Sequence, residues 1–233
     1  MGITAENVAK KFNISRKEQQ DFAISSHSKA NSAREKNMFD NEIVSITNND
    51  QIINKDGGIR PNTSHEILDG LKLAFDENGT VTAGTASPLT DGAAAVIVCE
   101  EEYANKNNLN ILARIKSTAV VGCPPELMGL GPINASKKAL KRADLSIDDI
   151  DIVELNEAFA SQSLACIKEL NMNIDKVNIH GGAIALGHPL GATGARITGK
   201  VATLLKNNNK KYGLATQCIG AGQGIATVLE NIN

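Results

Sequence analysis

The second half of the chain alternates between short apolar runs and amphipathic segments. Apolar runs at 111–121, 151–155 and 176–179 are each followed by a stretch with apolar residues every three or four positions. The runs are typical of buried strands and the stretches of helices packed on a sheet. Two final runs, 213–218 and 224–229, flank a glycine-rich turn suited to a hairpin. This order predicts an α/β fold, a layered α/β domain with a mostly parallel five-stranded sheet.

The first ninety residues predict a polar, helical region with short extended pieces. Ser15 and Glu18 have the spacing of a capping box, which predicts a helix that continues to about Lys36. The apolar face of this helix is narrow and rich in small residues, so it has to pack closely against another element. Thr4 is predicted to cap a shorter helix before it, and another helix is predicted over residues 64–71.

A continuously apolar run from Ala93 to Cys99 has no strand next to it in the sequence. Such a run is typical of a strand that is buried on both faces of a sheet. The segment that follows it, residues 100–107, has a helical pattern. The run therefore needs a partner strand from elsewhere.

Composition narrows the classes of function. The chain has 24 Lys and Arg residues against 26 Asp and Glu residues, and only 3% of its residues are aromatic. This charge balance and the lack of stacking side chains argue against nucleic acid as the main ligand. No run approaches the roughly 18 apolar residues that span a bilayer, and the N-terminus has no hydrophobic signal region. We expect a cytoplasmic protein that has neither a membrane nor a nucleic acid as partner.

The four cysteines are widely spaced along the chain. They form no CxxC pair, and no histidines stand at matching spacing. The pattern predicts neither a zinc site nor a disulfide framework, and it fits a reducing compartment. We expect no metal in this protein.

Polar and glycine-rich loops follow three of the predicted strands. Asn156 follows the second strand, His188 follows the third, and Cys218 ends the fourth, before the glycine-rich turn. The carboxyl ends of parallel strands meet at one edge of a sheet, where such folds place their sites. An amide, an imidazole and a thiol beside glycine N–H groups are suited to acyl and thioester chemistry.

Each of these residues also has a structural interpretation. His188 can be an ordinary histidine between a glycine-rich loop and an apolar helix, and Asn156 can cap the helix that follows it. Cys218 can be a small buried hydrophobe, and the glycines at 220–224 can form only a hairpin turn. His180 is assigned a backbone or packing role. The coincidence of three such residues at equivalent strand ends favours the functional interpretation.

The motifs in these loops resemble those of the thiolase family, the acetyl-CoA acetyltransferases. The resemblance rests on Asn156–Ala160 (NEAFA), Gly181–Pro189 (GGAIALGHP) and Cys218–Gly220 (CIG). Further segments that are similar to the family are 80–87, 91–94 and 128–132. The likeness therefore extends along the whole chain.

The resemblance implies catalytic roles for four residues. It implies that His188 activates a nucleophilic cysteine and also donates to the thioester oxygen, together with a water held by Asn156. Cys218 is the implied acid and base, which deprotonates acetyl-CoA in condensation or activates coenzyme A in thiolysis. The N–H of Gly220 is the implied donor of a second oxyanion hole. Ala221 departs from the family, which usually has glycine there.

The resemblance also implies a path for coenzyme A. Arg60 is expected near its phosphates, Ser87 near its pantetheine, and Met128 beside the acyl pocket. The other residues implied along this path are His27, Ala74, Phe75, Ala83 and Phe159. The implied partners are acetyl-CoA, acetoacetyl-CoA and CoA as substrates, with no separate cofactor. The intact enzyme is expected to be a homo-oligomer, a dimer or tetramer.

None of the four cysteines matches the family's nucleophile, which belongs to an N-terminal half that precedes anything resembling Met1. The resemblance therefore implies the C-terminal portion of a thiolase. Its implied parts are a helical CoA-binding loop domain (1–88), the last strand and helix of a truncated N-terminal domain (89–110) and a C-terminal thiolase domain (111–233).

The implied function is acetyl-CoA acetyltransferase chemistry, with this chain inactive alone. Either direction of the reaction, Claisen condensation of two acetyl-CoA or thiolysis of acetoacetyl-CoA, uses the same groups. Two alternatives stay open. One is a non-catalytic module that binds CoA or acyl thioesters. The other is a complementing subunit of a split thiolase.

Overall fold

The computed structural model describes residues 1–232, and it begins with two helices. The elements of this first part are α1 (Gly2–Phe12), α2 (Arg16–Glu35), β1 (Ile46–Asn48), β2 (Gln51–Ile53) and α3 (His65–Asp69). The predicted capping box at α2 is confirmed, because Ser15 and Glu18 each accept from the other's backbone N–H. The predicted cap at Thr4 is wrong. Helix α1 already begins at Gly2, and the Thr4 hydroxyl donates to Met1 O instead.

The second part forms the α/β layers. Its elements are α4 (Glu101–Lys106), β3 (Arg114–Gly122), α5 (Gly131–Ala143), β4 (Ile152–Leu155), α6 (Ala160–Glu169), α7 (Ala183–Leu186), α8 (Thr193–Asn207), β5 (Tyr212–Ile219) and β6 (Gln223–Glu230). Short 3₁₀ turns at Ala83–Thr85, Pro125–Leu130 and Ile174–Lys176 connect some of them. The layered α/β class predicted from the sequence is confirmed.

Within residues 1–232 the main sheet differs from the predicted one, since it has four strands and is mixed. Its order is β3-β6-β5-β4, and only β4 and β5 are parallel. Strand β6 returns from β5 in the predicted hairpin and then pairs antiparallel with β3 as well. The prediction of a mostly parallel five-stranded sheet is therefore wrong. Because β6 lies between β5 and β3 and runs antiparallel to both, two of the three strand pairings in the sheet are antiparallel.

The predicted strand at 176–179 forms only one isolated bridge, from Val177 to Val153. The side chain of Asn178 explains why. Its Oδ1 accepts from Leu155 N at 2.9 Å, and its Nδ2 donates to Leu155 O at 2.8 Å. A side-chain amide thus takes the hydrogen bonds that a fifth strand's backbone would make.

The apolar run at 93–99 forms no strand within the described residues. Val96, Ile97 and Val98 are 44%, 89% and 69% exposed. The run lies along α8, where a methyl group added at Gly199 would come 3.0 Å from Val96 Cγ1. The predicted strand is thus not formed. Residues 93–99 are an exposed apolar segment that pairs with no strand among residues 1–232.

Apolar layers cover both faces of the sheet. Between the sheet and α5 lie Ala139, Leu140, Val153, Leu155, Leu214 and Val228. Between the sheet and α8 lie Ile152, Ile197, Val201, Leu204 and Ala215. The alternation of the two sets along β4 and β5 is the period of two that a strand buried on both faces requires. The loops at the carboxyl ends of these strands are therefore held from both sides.

Candidate active site

Both ring nitrogens of His188 have side-chain partners. Nδ1 lies 2.7 Å from Thr193 Oγ1, and Nε2 lies 3.3 Å from Asn156 Nδ2. The Thr193 hydroxyl donates to Pro189 O at 3.1 Å, so it accepts from Nδ1–H. The amide of Asn156 then donates to the lone pair of Nε2. These partners assign the neutral tautomer that carries its proton on Nδ1.

The surroundings of His188 also favour its neutral form. Burial lowers the pKa of His188 below its ordinary value, and the positive charge of Arg196 lowers it further. Both causes disfavour the imidazolium. With its one ring proton on Nδ1 and none on Nε2, His188 can accept a proton at Nε2, as a general base does.

The backbone in front of His188 is fixed by Thr90. The N–H of His188 donates to Thr90 Oγ1 at 3.2 Å. Gly187 has a φ of 94°, and a methyl group added there would come 2.5 Å from Thr90 Cγ2. A larger residue at this position would meet both a strained backbone angle and the threonine.

Asn156 does not cap a helix. Helix α6 begins at Ala160 with Phe159 in the N-cap position, so the capping interpretation is wrong. Asn156 is 1% exposed, and its N–H donates to Thr216 O at 2.9 Å, which extends the β4–β5 ladder by one residue. Its Nδ2 faces His188, while its Oδ1 is buried without a protein partner. A buried, unbonded acceptor is costly unless the site uses it.

Cys218 lies on β5 in an apolar cluster. The cluster consists of Ala5, Val81, Ala86, Met128, Ala158, Phe159 and Cys218. Burial raises the pKa of the Cys218 thiol to about 12, so the thiol keeps its proton at neutral pH. Cys218 lies two residues beyond Thr216, whose carbonyl bonds to Asn156, so the thiol and the amide belong to the same sheet edge.

The turn after Cys218 has two residues with left-handed backbone. Ala221 has a φ of 65° and Gly222 a φ of 88°. A methyl group at Gly222 would overlap Cys123 O, so glycine is required there. Ala221 adopts the same conformation with a Cβ, which is unfavourable. Gly220, the predicted oxyanion donor, is exposed beside this turn.

Several residues predicted to contact coenzyme A converge beside Cys218. Met128 and Phe159 share its apolar cluster, and the Phe75 ring packs edge-on against Phe159 with centroids 5.9 Å apart. The N–H and Oγ of Ser87 both donate to the carbonyl of Ala158, at 3.0 and 3.2 Å. The loop that carries Ser87 is therefore tied to the residue before Phe159.

The remaining predicted contacts lie on the neighbouring loops. The N–H of Arg60 donates to His27 Nδ1 at 3.1 Å. Burial lowers the pKa of His27 to about 4, with a further contribution from the charge of Arg60. Ala74 and Ala83 are exposed, and Ala74 N donates to Val81 O at 3.0 Å. No direct contact of Arg60 or His27 with His188 is found among residues 1–232.

Three polar residues around the site were missed by the sequence interpretation. They are Thr90, Thr193 and Glu157. Thr193 stands at the start of an apolar helix five residues after His188, and a hydroxyl at that position is a usable signal. Glu157 is an acidic residue between an apolar strand and an apolar helix, which indicates a buried charge. Thr90 lies far from the loop in sequence and gives no such signal.

His180 has the packing role that the sequence indicated. Its ring packs edge-on against Phe39, with centroids 6.1 Å apart. Burial lowers its pKa to about 4, and nearby lysine charges contribute.

In residues 1–232, no group of His, Cys, Asp and Glu side chains is arranged to hold a metal. Nor does this part of the chain contain a helix long and apolar enough to cross a membrane.

Comparison with known protein families decides the identity of the fold. The model described as "Thiolase, C-terminal domain" matches residues 109–231, and the model described as "Thiolase, N-terminal domain" matches residues 1–102. The chain belongs to the thiolase family. The resemblance seen in its motifs is thereby confirmed, while the domain bounds at 88 and 110 stay predictions.

Individual thiolases agree with this assignment. A 3-ketoacyl-CoA thiolase of Aliivibrio fischeri is 52% identical over 239 residues, which cover 99% of this chain and 62% of the relative. The structure of human mitochondrial 3-ketoacyl-CoA thiolase in complex with CoA superposes with a TM-score of 0.97 and 45% identity, over 99% of this chain and 58% of that one. The acetyl-CoA acetyltransferase of Bacillus anthracis gives a TM-score of 0.95 and 43% identity, over 99% and 59%. This chain spans about three fifths of the thiolases it matches.

Proposed function

We propose that the chain supplies the base, the acid and most of the coenzyme A contacts of a thiolase reaction. The reaction is acyl transfer between CoA thioesters, either Claisen condensation of two acetyl-CoA or thiolysis of acetoacetyl-CoA. One observation carries the proposal: the unprotonated Nε2 of His188 faces Asn156 at the sheet edge that also holds the Cys218 thiol. The substrates named for the matched thiolases support the same class.

The first half-reaction uses His188 and Asn156. A cysteine thiol gives its proton to Nε2, and the resulting thiolate attacks the thioester carbonyl. The protonated Nε2 then donates to the oxyanion, while Nδ1–H stays bonded to Thr193. The departing CoA thiolate takes the proton of the Cys218 thiol, so CoA leaves as a thiol and Cys218 becomes a thiolate. The acetyl group remains on the first cysteine. Oδ1 of Asn156, which has no protein partner, would accept a hydrogen bond from a water, and that water would donate to the same oxyanion.

The second half-reaction uses Cys218 and Gly220. The Cys218 thiolate removes a proton from the α-carbon of a second acetyl-CoA, and the carbanion attacks the acetyl-cysteine. Acetoacetyl-CoA forms, and the first cysteine is released as a thiolate, which takes back the proton held on Nε2 of His188. A base for a carbon acid has to be strong, and the burial that raises the pKa of Cys218 supplies that strength. The N–H of Gly220 stabilises the developing oxyanion.

We further propose that the first cysteine comes from outside these 233 residues. Cys99 lies in the exposed apolar run, Cys123 follows β3, and Cys166 is buried inside α6. The Cys166 thiol donates to Gly129 O at 3.4 Å, and burial raises its pKa, so it is not a ready nucleophile. The chain alone is then inactive, and no cofactor besides the CoA thioesters takes part. All four cysteines are free thiols, which fits a cytoplasmic enzyme. We also propose that the intact enzyme is a homo-oligomer.

A test combines binding and activity. Calorimetry of the chain with CoA should show binding, and an assay with acetoacetyl-CoA and CoA should show no turnover. Mixing with the separately expressed remainder of the Aliivibrio fischeri thiolase should restore turnover, and His188→Ala in this chain should abolish it. Binding without restored turnover would favour a non-catalytic CoA module. Turnover by the chain alone would refute the need for an outside cysteine, and failure to bind CoA would refute the proposal as a whole.

A further inference from the structure

Glu157 is a fully buried carboxylate that takes no part in the chemistry described above. It is 1% exposed, and its carboxylate accepts three hydrogen bonds. Oε2 accepts from Ser26 Oγ at 2.7 Å and from Ile184 N at 3.1 Å, while Oε1 accepts from Asn178 Nδ2 at 2.7 Å. In each of these bonds the partner supplies the proton, so only the ionised carboxylate satisfies all of them. Burial raises the pKa of Glu157, and the three donors oppose that rise. An amide in its place could not, because its NH₂ group is a donor.

The two bonds to Oε2 join three parts of the chain. Ser26 belongs to α2, Glu157 follows β4, and Ile184 belongs to α7. Ser26 Oγ also accepts from Gly182 N at 3.1 Å. The first turn of α7 is therefore linked twice to Oε2 of Glu157. Ile184 N bonds to this oxygen directly, and Gly182 N is linked to it through the Ser26 hydroxyl.

The loop approaches this carboxylate closely because it has two glycines. A methyl group at Gly182 would overlap Glu157 and Asn178, and one at Gly181 would lie 2.6 Å from Ser26 O. Helix α7 has only four residues, and an isolated single turn is unstable in water. Its position therefore depends on outside contacts, and His188 follows two residues after its end.

We propose that Glu157 is a positioning residue for the contact between His188 and Asn156. It is covalently next to Asn156, and it holds through Ile184 the helix that leads to His188. One side chain thus fixes both partners of the 3.3 Å contact. The catalytic meaning of this role rests on the proposed thiolase function, but the positioning is a property of the chain itself.

The imidazole signals of the chain test this role without an activity assay. The chain has four histidines, so ¹⁵N spectra of the rings can be assigned with single His→Gln variants. In the unmodified chain, His188 should show the neutral tautomer protonated on Nδ1. Glu157→Gln should convert this signal to a mixture of tautomers, and it should accelerate amide hydrogen exchange at Gly182 and Ile184 about tenfold. Ser26→Ala, which keeps the carboxylate, should change both readouts in the same direction.

Glu154→Gln is the matched control. Glu154 is 2% exposed and lies on β4, and burial raises its pKa to about 7. One of its carboxylate oxygens is buried without a hydrogen bond, and its side chain has no bond to α7. Neutralising it should leave the His188 signal and the exchange of Ile184 unchanged. If Glu154→Gln shifts them as much as Glu157→Gln does, general loss of buried charge is the cause and the proposal is wrong.

Two further outcomes decide the proposal. If Glu157→Gln does not fold, Ser26→Ala carries the test, and an unchanged His188 signal in a folded variant refutes the positioning role. In the enzyme completed with its remaining part, Glu157→Gln should lower kcat and leave KM for CoA unchanged, because none of the three hydrogen-bond partners of Glu157 is a residue expected to contact CoA. A completed enzyme without thiolase activity would refute the proposed function, and it would leave the spectral result intact.

Discussion

The Nε2 atom of His188 lies 3.3 Å from the amide nitrogen of Asn156, although 32 positions separate the two residues in the chain. The contact joins the end of β4 to the loop that precedes α8. It places a neutral imidazole and a buried amide side by side at the sheet edge. The behaviour of this pair is therefore the most direct way to test the site.

The charge of Arg196 should control the titration of His188. Arg196→Gln removes a positive charge that disfavours the imidazolium, so the pKa of His188 should rise. It should stay below the ordinary value of about 6.5, because burial, the larger cause, remains. NMR titration of the histidines measures this shift. Lys206→Gln, at the other end of α8, is the control and should leave His188 unchanged; a fall in the pKa after Arg196→Gln would contradict the expectation.

Ala221→Gly should stabilise the chain by about 1 kcal/mol. Ala221 has a φ of 65°, where a Cβ is unfavourable and glycine is not. Urea unfolding at pH 7 measures the change. Ala83 is also exposed but has no positive φ, so Ala83→Gly should be neutral or destabilising. Equal effects at both positions would mean that the backbone angle is not the cause.

Gly182→Ala should destabilise the chain by roughly 1–3 kcal/mol, the usual effect of overpacking a tight site. The added methyl group overlaps the carboxylate of Glu157 and the amide of Asn178. Gly57→Ala is the matched control, because an added methyl group there meets nothing within 4 Å. Thermal or urea unfolding of the two variants gives the comparison. A Gly182→Ala variant as stable as Gly57→Ala would show that the loop can move aside easily.

The chain should self-associate when it is expressed alone. Leu89, Ile97 and Val98 are among the most exposed large apolar side chains, and contiguous apolar patches of a few hundred Å² promote association. Ile97→Lys should reduce the apparent mass in sedimentation experiments. Ile67→Lys replaces an isoleucine that is 53% exposed on α3, away from this run, and should have little effect. A monodisperse monomer of the unmodified chain would refute the prediction.

The sequence was informative where structure depends on neighbouring residues. The start of α2 follows from Ser15 and Glu18, which are three positions apart and bond to each other's backbone. The hairpin of β5 and β6 follows from the glycine turn between two apolar runs. The loops that carry Asn156 and Cys218 follow from the ends of β4 and β5, and the loop of His188 follows from its glycine motif. In each case the deciding contacts lie within a few residues.

Long-range contacts account for what the sequence did not show. The insertion of β6 between β5 and β3 brings together residues about a hundred positions apart, such as Val120 and Ile225. Asn178 replaces strand pairing with its side chain, which looks in sequence like any turn residue. The role of Glu157 depends on Ser26, which lies 131 positions away. Such pairings leave no periodic signal along the chain.

Thr90 and the apolar run after it connect the surface of this chain to its imidazole. Thr90 Oγ1 accepts from His188 N, Gly92 lies against Pro189, and Val96 lies against Gly199. Residues 90–96 thus contact both the loop that carries His188 and the helix that follows it. The backbone of the proposed base is therefore held in part by a segment that precedes the α/β layers in the chain.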